Sequence, residues 1–537
     1  MKKTPRPKNL GALFEHYAGA GPVWHLDRPF DIAPERGVEY DVTALARLVA
    51  EMSGRLWEAG LRSGDRLAII KDNHHDVVLL AAAAARIGAL PAMISATNDP
   101  QVHAAIMERF EPRVLAASGS VLAAAAAEGV PLVPQTTQIV AINGGADLAP
   151  NAVSLASLEG ADVPPMSLRP DHEPMICTHT SGTTGVPKLV VHSPQTLIGV
   201  LTKLETLPIP GLSIRPDDVF ASCIAFVHGR AITWTFAQLA RPPHKVVVLG
   251  GSEPDTAAKL LSQHRPTVLE ACPNIYQRWE PLTQSHPEAF SRVRTYLNTF
   301  DAIHPPTVRK FMEASRRKRP MWGQVWGQSE TGPVAMAVYS RKQIRENAGA
   351  LDPVTNNVGR PIPFVTRVKI VDPETRRPVP AGKSGVVLVR TKGRCLTYLG
   401  EEDRHTEKDW DGWWNTGDLG VRSRTGTLRL LDREVDLIPG VSGIALESVL
   451  LERIDRATEV IVLGDPGGKP VPVISLAHGE LSADEWSEAT RGLPELAEPH
   501  VIAWEDFPRT GTWKVRRFAL RQRVLHSEAT FGTGHWT

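Results

Sequence analysis

Leu45, Leu48, Val49, Met52 and Leu56 recur at helical spacing behind Asp41, and the run ends at Gly60. Gly64-Asp65 then reads as a turn into the apolar strand Leu67-Ala68-Ile69-Ile70. An alanine-rich helix from Asp76 leads to a second strand over Ala89–Ile94. The alternation continues through apolar runs at Ile139–Ile142 and Lys245–Leu249, and Ala123–Ala127 reads as a helix-forming stretch. Helices alternating with short apolar strands predict α/β layers built on largely parallel sheets. From about Val358 the texture changes to short strands, such as Thr366–Val371 and Gly385–Val389, which predicts a smaller β-rich subdomain over about 358–432. After Arg433 comes a compact α+β tail with strands at Thr458–Leu463 and Val471–Leu476. No internal repeat or low-complexity tract interrupts this pattern.

Composition narrows the class. A chain of 537 residues is too long for one ordinary core, so two or more domains are expected. Apolar residues make up 42% and charged residues 22%, as in a soluble globular protein. A net charge of +1 argues against a surface that coats nucleic acid or adheres to a membrane. The apolar run Val77–Ile94 is broken by Arg86, Gly88 and Pro91, so it reads as a buried helix and strand rather than a membrane span. Cys177, Cys223, Cys272 and Cys395 lie far apart without a C-x-x-C pair, which fits a reducing cytoplasm better than a zinc site or disulfide framework. The basic start, Met1–Lys8, is followed by no apolar signal core, so a cytoplasmic location is expected. Oligomeric state leaves no mark in the sequence.

The chemistry concentrates in Thr178-His179-Thr180-Ser181-Gly182-Thr183-Thr184-Gly185-Val186-Pro187-Lys188. From Thr180 to Gly185 every residue is a hydroxyl residue or glycine. Glycines let backbone N–H groups approach an anion, hydroxyls add donors, and lysine adds a charge; together they suit a triphosphate. The Walker A spacing is absent. The competing reading is an ordinary Gly/Ser/Thr loop.

Three further elements follow in order. They are Trp326-Gly327-Gln328-Ser329-Glu330-Thr331-Gly332, then Trp414-Asn415-Thr416-Gly417-Asp418 with Asp432-Arg433, then Pro508-Arg509-Thr510-Gly511-Thr512-Trp513-Lys514-Val515. In this order they resemble the signature elements of the AMP-forming adenylating superfamily: acyl- and aryl-CoA ligases, luciferases and nonribosomal adenylation domains. The resemblance covers most of the chain. It implies a large N-terminal domain (1–432) and a small mobile C-terminal domain (433–537) carrying the catalytic lysine, with the active site between them.

The resemblance also implies roles. The loop Thr180, Ser181, Gly182, Thr183, Thr184, Gly185 and Lys188 would hold the β- and γ-phosphates of ATP. Glu330 would coordinate Mg²⁺ together with phosphate and water oxygens. In the Trp326-Gly327-Gln328-Ser329 part of the nucleotide site, Ser329 keeps a hydroxyl for the α-phosphate. Trp326 either stacks on adenine or is a core aromatic. Asp418 would accept hydrogen bonds from both ribose hydroxyls, its competing role being a turn residue. Arg433 would contact ribose or phosphate and mark the domain boundary. Lys514 would bridge the attacking oxygen and the α-phosphate. His228 resembles the gate beside the acyl site, with a structural histidine as the alternative; His192 reads as structural.

Two departures from the family pattern touch the second half-reaction. The hinge carries Val435 with Asp436 beside it, and the loop Pro439–Ile444 is slightly short, without the usual proline before Glu447. Asp301, in Asn298-Thr299-Phe300-Asp301-Ala302, stands where the family has a small turn. It reads either as a turn former or as a contact to an amine-bearing or polar substrate. The sequence therefore predicts an ATP-dependent ligase that adenylates a small acid and passes it to a second nucleophile, CoA by family base rate or an amine. Activation of nitrite for diazotisation of an aromatic amine, and amide formation, are the alternatives. A non-catalytic nucleotide-binding module is the alternative of another class.

Overall fold

The computed structural model describes residues 7–180, 186–209, 211–348, 350, 352–433, 438, 441–465, 468–511 and 513–525, with backbone only at Lys203 and Leu204. Among these residues two large sheets and a small one carry the fold. In the eight-stranded sheet, Ile176–His179, Leu90–Ser95, Arg66–Lys71, Val114–Ser118, Gln138–Ile142 and Ala152–Ser154 run parallel in that spatial order. The larger, fourteen-stranded sheet has a parallel core: Val23–Leu26, Lys245–Val248, Val219–Cys223, Val268–Ala271, Thr295–Asn298 and Met321–Gln328. The alternation of helices and apolar strands produces this mixed α/β architecture because each crossover helix returns the chain parallel to its previous strand.

The β-rich stretch after 357 is antiparallel and continuous with that sheet. Strand Asn357–Pro361 pairs with Gly332–Ser340 through Ala335↔Pro361 and Met336↔Arg360.

Helix Val42–Glu58 starts on Asp41, whose carboxylate caps the Ala44 N–H, and buries Leu45, Leu48, Val49, Met52 and Leu56. Helix Asp76–Ile87 is apolar around nearly its whole circumference and buries every residue except Arg86. Such a helix must be covered on all sides, and here one core joins it to strands of both sheets, including Leu67, Ile69, Phe220 and Val248. Among the described residues no helix is long and apolar enough to cross a membrane. All four cysteines are buried and free.

Near the C-terminus, Ala457–Leu463 pairs antiparallel with Val471–Leu476, and His500–Val501 adds a parallel strand. Alternation sorts the two faces of that sheet. Val460 and Val462 pack with Leu446 and Leu450 of helix Gly443–Arg453, while Ile461 and Leu463 pack with Phe507, Val515 and Leu520. This region docks on the rest through polar contacts. Arg309 makes a bidentate pair with Glu452 at 2.7 and 3.0 Å. His304 Nδ1 lies 2.6 Å from Ser448 Oγ, and Asn274 Nδ2 donates to Glu459 at 2.9 Å.

Candidate active site

Strands Ile176–His179 and Leu189–His192 form an antiparallel pair. The Thr180 N–H donates to the Lys188 carbonyl at 3.0 Å, and the Lys188 N–H returns to Thr180 Oγ1 at 3.1 Å. These bonds pin both ends of the hydroxyl-rich loop. Ser181, Gly182, Thr183, Thr184 and Gly185 lie outside the described residues. His179, just before the loop, is buried; its Nε2 accepts from the Ser95 N–H, so its Nδ1 carries the proton donated to the Thr180 carbonyl at 2.7 Å. Burial lowers its pKa and keeps it neutral.

The short strand Thr397–Tyr398 pairs with Leu189–His192 and sets Tyr398 beside the Lys188 strand. Lys188 Nζ sits 5.3 Å from the centre of the Tyr398 ring, and the Tyr398 hydroxyl donates to Glu330 Oε1 at 2.5 Å. Glu330 is buried, with the Cys395 N–H donating to its carbonyl at 2.7 Å. Desolvation lowers the Lys188 pKa, while Glu330 and Glu401 oppose the shift. Burial, and then Glu330, push the Tyr398 phenol far above its ordinary range, so it remains a donor.

Ser329 is held from two sides. His192 Nε2 bonds its carbonyl at 2.8 Å and His228 Nε2 bonds its hydroxyl at 3.0 Å. His228 Nδ1 accepts from the Arg230 N–H at the start of helix Gly229–Ala240, so the proton of the neutral ring is on Nε2 and points to Ser329. Burial lowers the His228 pKa to about 3, with smaller contributions from His179, Lys514, His192 and Arg230. The Phe300 ring packs edge-on against His228 at 5.0 Å.

Gln328 joins the second and third elements. Its Nε2 donates to the Thr416 carbonyl at 2.7 Å and to Asp418 Oδ2 at 3.1 Å, and its Oε1 accepts from Trp414 Nε1 at 3.2 Å. Gly327, at a register shift between the paired strands, is obligatory: a Cβ there would stand 2.1 Å from the Gly332 carbonyl oxygen. Trp326 is half-buried and packs on the cluster containing Val334 and Val358. Asp418 is directly paired in register with Arg433, its Oδ1 3.4 Å from Arg433 Nε. Burial raises the Asp418 pKa against the lowering influence of Arg433, Lys514 and Lys408.

Lys514 follows a tight turn in which Trp513 has a φ of 65° and the Thr510 N–H donates to the Lys514 carbonyl at 2.8 Å. The turn is seated against the eight-stranded sheet. A Cβ on Gly511 would stand 2.1 Å from Ser95 Oγ, and Arg516 donates to Asn98 Oδ1 at 3.0 Å. Seated so, the Lys514 charge acts on both His228 and Asp418. Residues from four distant stretches thus converge on one polar site.

Asp301 is exposed, and its Oδ1 accepts from the Ala302 N–H at 3.0 Å, the contact expected of a turn former. Of the hinge loop, Val435, Asp436, Pro439 and Gly440 lie outside the described residues. Several residues of the site escaped sequence reasoning. Tyr398 has no local signature beyond being aromatic. Lys408, close to Asp418, Lys188 and Glu330, has its pKa lowered to about 8, chiefly by desolvation and next by Lys188. Outside these, Arg230 pairs with the buried Glu270 and with the partly exposed Glu205, contacts that leave no sequence signal because the partners are far apart in the chain.

Among the described residues no group of three or more potential ligands could hold a metal alone. A single buried carboxylate, joined through Tyr398 to Lys188 at the end of the hydroxyl-rich loop, fits Mg²⁺, which takes one or two carboxylates and completes its shell with phosphate and water.

Residues 26–399 match the family described as AMP-binding enzyme, and the chain belongs to that family. It is an ATP-dependent, AMP-forming ligase. A 3-amino-2-hydroxy-4-methoxybenzoate diazotase of Streptomyces cremeus is 36% identical over 97% of this chain and 96% of its own length. 4-Coumarate–CoA ligase 5 of Oryza sativa subsp. japonica is 25% identical over 90% of this chain and 89% of its own. In fold, the chain resembles a benzoate CoA ligase from Burkholderia xenovorans LB400, with a TM-score of 0.76 at 20% identity, covering 96% and 99% of the two chains.

Proposed function

We propose that this protein is an ATP-dependent diazotase that activates nitrite as an adenylate and delivers its nitrosyl group to a primary aromatic amine. The observation that carries this reading is the 36% identity, over nearly the whole chain, to the Streptomyces diazotase, against 25% to the 4-coumarate–CoA ligase. A nitrite oxygen attacks the α-phosphorus of ATP and pyrophosphate leaves. The amine nitrogen then attacks the nitrosyl nitrogen, and AMP departs with the electron pair of the N–O bond. The resulting N-nitrosamine tautomerises and loses water to leave the diazonium group.

The geometry supports the following roles. Lys188, Thr180 and the loop between them hold the β- and γ-phosphates. Glu330, oriented by Tyr398, is the carboxylate that would hold Mg²⁺, whose charge offsets that of the polyphosphate when bound. Ser329, fixed by His192 and His228, offers its hydroxyl to the α-phosphate. Asp418, with Gln328 and Arg433 beside it, takes the ribose, and Trp326 flanks the adenine. Lys514 meets the charge developing between attacking oxygen and phosphorus. The division at 432/433 separates a large catalytic domain from a mobile C-terminal domain in a cytoplasmic enzyme. The competing second step is a CoA thioester, favoured by the 4-coumarate–CoA ligase relatives.

A pyrophosphate-release assay over nitrite, aryl acids and fatty acids, each with and without CoA or an arylamine, separates the two. Nitrite-dependent pyrophosphate release, with AMP and a diazo absorbance appearing on addition of an arylamine, is expected. Release driven by a carboxylic acid, with thioester formation and no response to nitrite, overturns the proposal.

A further inference from the structure

Across the floor of the large sheet, Ser222, Glu270, Leu297 and Gly323 stand side by side in register on four neighbouring strands. Alternation along the strands puts all four on one face. Over this row lies the start of helix Gly229–Ala240, immediately after His228. There Arg230 reaches down to Glu270 with two bonds of 2.7 and 2.8 Å and sideways to Glu205 of helix Thr202–Glu205. The guanidinium is thus committed to two carboxylates, and the trio carries one net negative charge beside the neutral His228.

Two features show that this group is not merely a closed structural knot. Glu205 keeps 23% of its side chain exposed, while Glu270 has none. Ser222, next to Glu270 in the row, is fully buried, and its hydroxyl finds no hydrogen-bond partner among the described residues. A buried hydroxyl without a partner is uncommon in a native structure and marks a place where a ligand or water supplies the missing bond. Gly323 closes the row without a side chain, and a Cβ there would stand 2.7 Å from Leu297 Cδ2. Leu297, which fills the space over Gly323 and is itself partly exposed, gives an apolar surface with a carboxylate and a hydroxyl on the neighbouring strands, which matches an aromatic ring bearing N–H donors.

We propose that Glu205, positioned by Arg230 and Glu270, accepts a hydrogen bond from the amino group of the aromatic substrate, with the Ser222 hydroxyl taking a second polar contact. The inference rests on the diazotase reading for the step that follows binding, but recognition of the amine is separable from nitrite chemistry. Burial raises the Glu205 pKa, and Arg230 opposes the shift. The same carboxylate is therefore a stronger base than a solvated one towards the proton that the attacking amine must shed.

Calorimetry with full-length protein, comparing 3-aminobenzoate with benzoate, tests the proposal without nitrite. The wild type should bind the amine more tightly by roughly 10–100-fold, the span of one hydrogen bond to a charged group. Glu205→Gln should erase most of that preference while leaving benzoate affinity and nitrite-dependent pyrophosphate release within about twofold. Ser222→Ala should lower affinity for 3-aminobenzoate without lowering the thermal midpoint, because no protein hydrogen bond is lost. Equal binding of both probes by the wild type, or of neither, overturns the inference. So does an unchanged preference in Glu205→Gln, or a parallel loss of both affinities and of pyrophosphate release. Absence of nitrite-dependent release in a wild type that still prefers the amine would instead count against the diazotase reading alone.

Discussion

Tyr398 and Glu330 come from distant parts of the chain and meet in a 2.5 Å hydrogen bond within the site. The phenol orients the one carboxylate assigned to Mg²⁺, and such supporting contacts typically govern about 10–100-fold in metal affinity or activity. Tyr398→Phe should therefore shift the Mg²⁺ dependence of pyrophosphate release to higher concentration by that factor. An unchanged Mg²⁺ titration would remove Tyr398 from the site's machinery. Lys514 stands differently, since the role proposed for it is to meet charge that develops in the transition state. Lys514→Ala is expected to slow pyrophosphate release about 10²–10³-fold while ATP affinity stays nearly constant. Equilibrium ATP binding and single-turnover rates, measured on the same preparation, show whether the loss falls on the rate alone. His228, with a pKa of about 3, remains neutral at physiological pH and acts as a hydrogen-bond donor to Ser329 rather than as a titrating base.

At the scale of elements, the helices Gly443–Arg453 and Arg517–Leu525 are coupled through one buried carboxylate. Glu447 pairs with Arg517 at 2.7 Å and accepts the Val462 N–H at 2.9 Å. Burial raises its pKa from 4.5 to about 7 against the influence of Arg517. The folded chain then keeps a proton between about pH 4.5 and 7 that the unfolded chain has released. Stability from this group is fully present below pH 4.5 and is lost as pH rises through about 7. The loss amounts to about 3 kcal/mol at 1.36 kcal/mol per pKa unit. Glu447→Gln should flatten that dependence, so its thermal midpoint should change less than the wild type's between pH 5 and 7.5. Parallel curves for the two proteins would assign the slope to other groups.

Over the whole molecule, Lys514 reaches the site only because the C-terminal region is docked, and the Arg309–Glu452 pair is one of its fasteners. The pair is partly exposed, so it is worth about 1 kcal/mol. That corresponds to about a fivefold change in a docking equilibrium. Arg309→Glu should lower the adenylation rate by roughly that factor, and the exchanged pair Arg309→Glu with Glu452→Arg should restore it. Failure of the exchange to restore the rate would mean that docking does not depend on this contact.

Hydrophobic periodicity alone gave the α/β layering. Helices Val42–Glu58 and Asp76–Ile87 and strand Val471–Leu476 lie where the pattern places them, because a buried face must repeat with the period of its backbone. The four signature stretches equally marked the family to which the chain belongs, since glycine-rich loops and tight turns need particular residues at fixed local spacing. What the sequence left open depends on contacts between distant segments. The antiparallel β-rich stretch is joined to the main sheet by two register pairs that no local pattern encodes. Tyr398 on Glu330, Gln328 bridging Thr416 and Asp418, and Arg230 between Glu205 and Glu270 join residues up to about ninety positions apart. A lone tyrosine, lysine or glutamate is indistinguishable from a surface residue until folding brings its partner to it. Only the tertiary structure decides which of them lose their water and face one another, and that loss of water is what turns ordinary side chains into a site.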